Sequence, residues 1–346
     1  MTNASPKSQR KLLKALPGLL ISAFFLWYTF RSIHLSEFRE VRLVHPAWIV
    51  GMVGFTIAGY TLRCVRWARM MLPTGAGFGS CARVLMTSLA ANNILPLRIG
   101  DIMRVFTYAG DLNASPSFIL STVILEKLLD VFTVVLLFVA TMGSLPVPPI
   151  HMFGHDLTVH TIAIFSLGVS ACGLLVLLLG ARALQPKLPG IFRRLPSNGL
   201  VKKLEHWAEL ALTATARIGV AGSLLLLVQS AVIWTCEGMI FVSALRLIGA
   251  PVDRVGPWLA VSFANLSYMI PSSPGAIGPF ELAVKVSLAN HGMASSQAAL
   301  FGLLVHVWML VTITGAGGVI FLLHRFKTQD HKPLLADIET LPAELP

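Results

Sequence analysis

Apolar residues along this chain fall into long blocks, each closed by charge, proline or glycine. They cover 15–30, 47–62, 84–97, 117–145, 160–179, 220–247 and 298–324. Most approach the roughly 20 residues a helix needs to cross hydrocarbon. The block at 84–97 is too short for a comfortable crossing. Segment 200–216 has apolar residues at helical spacing among basic ones, which predicts a helix lying along the membrane surface. Two stretches are broken in the same manner: 88–104, SLAANNILPLRIGDIMR, and 262–281, SFANLSYMIPSSPGAIGPFE. Each starts apolar and carries asparagine (Asn92 and Asn93; Asn265). Each then repeats Pro-x-x-x-Gly, as Pro96 with Gly100 and Pro274 with Gly278. Proline removes an amide donor and glycine accepts unusual dihedrals, so both helices must be interrupted. Within a membrane such backbone survives only where protein buries it or a polar cavity meets it, and paired interruptions mark a transporter-type binding site.

Loop charge sets the topology. Arg63, Arg66, Arg69 and Arg83 follow the second block with no acid among them, and read as a cytoplasmic loop. The stretch 146–159 has no Lys or Arg and reads as external, whereas 181–217 carries Arg182, Lys187, Arg193, Arg194, Lys202, Lys203 and Arg217 and reads as cytoplasmic. Every loop keeps its expected side if 84–97 re-enters from the cytoplasm and the second broken segment re-enters from outside. The predicted fold is therefore an all-α polytopic membrane protein with about six full spans and two opposed re-entrant segments, related as an inverted repeat. The predicted divisions are a cytoplasmic tail (1–11), a transmembrane domain (12–326) and a second cytoplasmic tail (327–346). The domain comprises halves 12–180 and 218–326 joined by the cytoplasmic loop 181–217. The expected location is the inner (plasma) membrane, with both termini cytoplasmic.

Composition agrees with this class. The 346 residues are 55% hydrophobic and 12% charged, with mean hydropathy +0.74, against about 25% charged in a soluble domain. The excess of 27 Lys+Arg over 16 Asp+Glu sits in short loops, a distribution that speaks for an anionic lipid surface and against nucleic acid. Cys64, Cys81, Cys172 and Cys236 are scattered and read as small hydrophobes. His151, His155 and His160 have a spacing that suits no metal site well, and no metal or cofactor is expected. No P-loop, nucleophile elbow, zinc-protease or dinucleotide motif is present, so the chain is not expected to be an enzyme.

Candidate chemistry lies in charges set deep in apolar blocks. Glu126, Lys127 and Asp130 fall in the block 117–145, with Glu126 about 13 Å past Ser117 by helical rise. Glu126 and Asp130 share a face, and Lys127 can reach Asp130. One lysine against two acids leaves a net negative cluster, for which Arg98 and Arg104 are the natural partners. The cluster either lines a polar cavity or only holds helices together. Glu237 must be neutral or find a partner on another helix. His306 is either a hydrogen-bonding link between helices or a proton relay. Arg98 and Arg104, beside free amides of a broken helix, suit a lipid phosphate, or else mark the inner surface. Asn92, Asn93 and Asn265 are expected to satisfy freed backbone groups.

With those residues in place, the chain resembles the lysylphosphatidylglycerol synthase transmembrane-region family, the flippase-like domain proteins. The resemblance rests on NNILPLRIGDIMR at 92–104, LEKLLD at 125–130 and PSSPGAIGPFE at 271–281, and covers roughly residues 12–326. It implies a helical bundle in which two re-entrant segments enclose a lipid-translocating cavity. The candidate substrate-binding set is Asn92, Asn93, Pro96, Arg98, Gly100, Asp101 and Arg104 at the first break, Glu126, Lys127, Asp130, Glu237 and His306 in the spans, and Asn265, Ser272, Ser273, Pro274, Gly275, Gly278 and Glu281 at the second break. Fused members move an aminoacylated phospholipid made by a soluble synthase domain. No such segment is read here, so aminoacyl transfer is not carried over. Stand-alone relatives look like transporters or accessory proteins for other lipids, including hopanoid and polyprenyl-linked ones. This chain departs from the family pattern with Asp101 for Glu, Lys127 for Arg and Ala276 for Gly. The expected partner is a membrane lipid (phospholipid, hopanoid or polyprenyl-linked), with a lipid-biosynthesis enzyme or a second copy of the chain as further candidates. The expected function is lipid translocation. The alternatives are a non-transporting partner of a lipid-modifying or glycolipid/hopanoid biosynthesis enzyme, a membrane-embedded transferase, and a solute transporter.

Overall fold

The structure, a computed structural model, describes residues 6–31, 42–95, 98–143, 150–152, 155–193, 199–270 and 272–330. The chain begins with α1 (Pro6–Phe30), α2 (Trp48–Met71), α3 (Phe78–Ile94), α4 (Ile99–Phe106) and α5 (Pro116–Met142). Two three-residue strands follow, β1 (Ile150–Met152) and β2 (His155–Leu157), paired antiparallel with Ile150 opposite Leu157. Next come α6 (Val159–Leu184), α7 (Leu188–Phe192), α8 (Gly199–Leu247), α9 (Gly256–Ser267), α10 (Pro279–Ala289) and α11 (Ser295–Asp330). Apart from that strand pair, regular structure among the described residues is helical.

Three described stretches are long and apolar enough to cross a membrane: Trp48–Thr74, Thr215–Leu247 and Ser295–Phe326. At 27 residues α5 has the length but carries Glu126, Lys127 and Asp130. The second span does not stop at residue 62. With no glycine or proline from 60 to 71 nothing interrupts the helical ladder, and α2 runs to Met71, ending where Pro73 and a left-handed Gly75 (φ 72°) turn the chain. Arg63, Arg66 and Arg69 are therefore helical residues and not a loop. Helix α8 is broken at Gly219 (φ 75°, ψ 174°). The part before the break buries Leu212 against Ala181 and Leu188 at the end of α6 and start of α7.

Both proline breaks become helical hairpins, for the same local reasons. The residue before each proline is extended, Leu95 at φ −96°, ψ 142° and Ser273 at φ −62°, ψ 164°, as proline requires of its predecessor. Two residues past each proline the chain turns left-handed on a non-glycine residue, Arg98 at φ 51° and Ala276 at φ 56°. Helix α4 then folds back along α3, and α10 along α9. Pro96 and Leu97 lie outside the described residues.

Two apolar cores flank these hairpins. One gathers Trp67, Leu85, Leu125 and Leu129 from α2, α3 and α5, with Leu112 from the turn between α4 and α5. The other gathers Phe241, Phe280, Phe301 and Val305 from α8, α10 and α11. Helix α11 joins them by lying close on α3, where Gly317 faces the Met86 carbonyl and Ala90 with no room for a side chain. Helix α1 covers the second hairpin. Gly18 sits against the Ser272 carbonyl, the Ser273 amide donates to Ser22 Oγ at 2.9 Å, and Lys285 Nζ donates to the Thr29 carbonyl at 2.7 Å.

Candidate functional site

The deep charges do not form a self-contained cluster on α5; they are shared among four helices. Arg66 of α2 makes a two-pronged contact with Asp130, at 2.7 and 3.0 Å, and donates to Ser230 Oγ at 2.6 Å. Arg63, one turn earlier, bridges Glu237 of α8 at 3.3 Å and Asp130 at 3.8 Å. Arg104 of α4 pairs with Glu126 at 3.0 Å. Lys127 lies 3.6 Å from Asp101 and 4.0 Å from Glu126. Arg66 is 1% exposed and Arg104 fully buried, so removing either partner would strand a charge in a medium that cannot solvate it. Aromatic faces complete the layer. The Arg104 guanidinium lies 4.6 Å from the Trp67 ring, Arg63 lies 5.3 Å from Trp234, and Trp234 Nε1 donates to Asp130 at 3.3 Å.

This arrangement corrects three expectations. Lys127 meets Asp101 and not Asp130, because Asp130 is turned toward α2. The layer is not net negative: Arg63, Arg66, Arg104 and Lys127 balance Asp101, Glu126, Asp130 and Glu237. Arg104 is sealed between Glu126 and Trp67 and does not face a headgroup as the structure stands, whereas Arg98 is exposed at the first break. The layer is not saturated. Nε and Nη1 of Arg104, Nε of Arg66 and Oδ1 of Asp101 are buried without a hydrogen-bond partner, which leaves polar capacity at the junction of α2, α4 and α5.

The asparagines do different work. Asn92 Oδ1 accepts from the Asp101 amide at 3.2 Å, closing the first hairpin. Asn93 Nδ2 donates to Thr314 Oγ1 of α11 at 3.3 Å. Asn265 donates to the Val261 carbonyl of its own helix at 2.8 Å, so it satisfies no group freed by the second break. Gly100 allows the hairpin to close, since a Cβ there would run into the Ser88 carbonyl and the Asn92 amide group.

At the second break, Glu281 and His306 are both 1% exposed and bonded. His306 Nδ1 lies 2.7 Å from Glu281 Oε1, while Glu281 Oε2 accepts from the Gly278 amide at 2.6 Å. His306 Nε2 is 3.4 Å from the Tyr268 hydroxyl, and its ring stacks on Phe280 at 3.9 Å. One carboxylate thus caps α10 and ties it, through the histidine, to α11 and the end of α9. Gly275 (φ 73°) brings the breaks together: a Cβ there would meet Leu310 at 3.2 Å and stand 3.9 Å from the Asn93 carbonyl. Ser272 and Ser273 face α1, while the turn Pro274–Ala276 lies against α3. The side chains of His151, His155 and His160 lie outside the described residues. Outside the spans, Asp253 Oδ1 accepts from the Val255 and Gly256 amides, both at 2.8 Å, and Oδ2 lies 2.7 Å from His291 Nδ1. Partial burial would raise its pKa, but those hydrogen bonds outweigh it and hold the carboxyl below its ordinary value.

Sequence reasoning missed Arg63, Arg66, Trp67, Ser230 and Trp234 as members of the layer. A usable signal was present: the i, i+3 arginines lie in a run from 60 to 71 that has no helix breaker.

The fold and site define a polytopic helical membrane protein built on two proline-broken hairpins that meet beside a buried, charge-balanced layer. The profile of the lysylphosphatidylglycerol synthase TM region matches residues 16–317, and the chain belongs to that family. It is also similar to a protein named glycosyltransferase AglD from Haloferax volcanii, 25% identical over 336 residues. That match takes in 87% of this chain and 53% of the relative, so the chain spans about half the length of the curated relative it matches. No solved structure matches the chain.

Proposed function

We propose that this chain is a lipid translocase of the inner membrane, which passes a polar headgroup between its two broken hairpins while the acyl chains remain in lipid. The observation that carries the reading is the contact of the breaks, Gly275 against Asn93, beside a layer whose ion pairs have more than one available partner. On this reading α1, α2, α5, α6, the 220–247 part of α8 and α11 cross fully. The hairpins α3–α4 and α9–α10 dip in from opposite faces, and both termini are cytoplasmic. Arg98, exposed at the first break, receives the headgroup phosphate. Arg63 already touches both Asp130 and Glu237, and Lys127 both Asp101 and Glu126. The layer can therefore re-pair as the hairpins part, without leaving any charge alone. Family membership supports a lipid as the ligand. The chain breaks and forms no covalent bond in this account and is not an enzyme.

The test is transfer of a labelled phospholipid across proteoliposomes. Wild type should move label well above empty vesicles, and Arg98→Ala should slow it about tenfold or more, the loss expected for one charge-assisted phosphate contact of about 1.5–3 kcal/mol. Equal movement in empty and loaded vesicles would overturn the proposal. The similarity to a protein named as a glycosyltransferase favours a second reading, in which the chain serves glycolipid synthesis as a partner of an enzyme. Turnover of a labelled lipid-linked sugar by the purified chain would go further and replace both readings with catalysis.

A further inference from the structure

A crevice of about 400 Å³ opens between α2, α5 and α8, apart from both breaks. Its position follows from three helix termini. Helix α2 ends at Met71, α5 begins at Pro116, and the long span of α8 begins past the kink at Gly219. Helices that end together define one level, so the crevice mouth lies where spans leave the membrane. Leu72, 70% exposed, and Leu225, 45% exposed, form an apolar mouth, with Met70 and Leu226 buried behind them. The wall offers little polarity: Ser121 and Thr122 donate to their own helix at Phe118 and Ile119, at 2.6 and 2.7 Å. A sugar or a polar solute would find few partners there; a hydrocarbon chain needs none.

The charge is one-sided. Arg69 and Arg217 both line the crevice and no carboxylate does. Arg217 is held over the Phe118 ring at 5.6 Å, leaving its N–H edge free to point elsewhere. Among the described residues no acceptor or carboxylate meets the Arg69 guanidinium. An apolar slot with two arginines at its mouth, at the level where spans end, is complementary to an anionic lipid in both of its parts.

We infer that this crevice binds one anionic phospholipid, with an acyl chain along Leu72, Leu225 and Leu226 and the phosphate held by Arg69 and Arg217. The site is distinct from the ion-pair layer. Thr122 in its wall accepts from the edge of Trp67 at Nε1 (3.2 Å), and the Arg104 guanidinium lies over the Trp67 ring at 4.6 Å, while no member of the layer lines the crevice. The inference does not depend on translocation.

Native mass spectrometry of the full chain in detergent, titrated with phosphatidylglycerol or phosphatidylcholine, tests it. Wild type should retain one phosphatidylglycerol at least tenfold more tightly than phosphatidylcholine. Arg69→Gln with Arg217→Gln, at exposed positions, should abolish that preference. Leu225→Trp should fill the mouth and weaken retention of both lipids. Wild-type retention of phosphatidylglycerol by the double variant would overturn the headgroup assignment, and unchanged retention by Leu225→Trp would overturn the acyl-chain assignment. Displacement of the lipid by an equal concentration of inorganic phosphate would show a free-phosphate pocket instead. No arm measures lipid movement, so failure here leaves the translocase reading to its own test.

Discussion

At the scale of single residues, Arg66 shows how a buried charge is tolerated. Its Nη1 and Nη2 donate to the two Asp130 oxygens, Nη1 donates also to Ser230, and the side chain is buried. Arg66→Ala leaves Asp130 with Arg63 at 3.8 Å and the Trp234 indole as its remaining partners. The expected loss is about 3–5 kcal/mol, read as a fall in the unfolding midpoint in detergent. Arg66→Lys keeps the charge but not the fork, and should lie between the two. Arg83→Ala supplies the contrast, since its partner Asp111 is 44% exposed; that substitution should cost less than about 1 kcal/mol. Ala276 is a different case. It holds a left-handed backbone at φ 56° where relatives of the resembled pattern often carry glycine, so the departure visible in the sequence falls on a position where a Cβ is a burden.

At the scale of elements, the hairpins were legible from proline and glycine alone, because each residue type acts on its own backbone whatever surrounds it. Helix α3 ends at Ile94, just before Pro96, and Gly278 is the N-cap of α10, but α9 already ends at Ser267, well before Pro274, and α4 begins at Ile99 rather than at Gly100. The end of α2 was misplaced for the opposite reason: arginines were assigned to a loop by charge, although nothing in the local sequence stops the helix, and their true surroundings are contributed by α5 and α8. The split of Lys127 from Asp130 was illegible on the same ground, since it depends on which way α4 folds back. That return is testable at Gly100. A Cβ there would collide with the Ser88 carbonyl and the Asn92 amide, backbone and side chain of the facing helix, whereas one at Gly79 would meet nothing within 4 Å. Gly100→Ala should lower the unfolding midpoint or prevent recovery of folded protein. Gly79→Ala, an open helical position, should be neutral or stabilising by up to about 1 kcal/mol. Equal midpoints for the two variants would mean that α4 does not lie against α3 as closely as described.

At the scale of the whole molecule, α11 lies tightly on α3 at Gly317, whereas the join where the breaks touch is lighter. Around that point α3 meets α11 by Asn93 and Thr314 at 3.3 Å, and Gly275 packs on Leu310 and the Asn93 carbonyl. These are small polar and van der Waals contacts, each worth about 1 kcal/mol or less. The ion-pair layer beside them is far costlier to separate, yet it can exchange partners without separating. On the translocase proposal, opening at the breaks with re-pairing in the layer would admit a headgroup, and it makes the Asn93–Thr314 join a place to lock the molecule. Cys172 is exposed and Cys64, Cys81 and Cys236 are buried, so a background with all four replaced is needed first. In it, Asn93→Cys with Thr314→Cys, bridged by a short reducible dithiol cross-linker, should slow lipid transfer more than tenfold. Reduction should restore it, and either single variant treated alike should retain most of its rate. Transfer that continues at the uncrosslinked rate in fully bridged protein would mean that the headgroup takes some route other than between the hairpins, and the crevice at Arg69 and Arg217 would then be the next path to block.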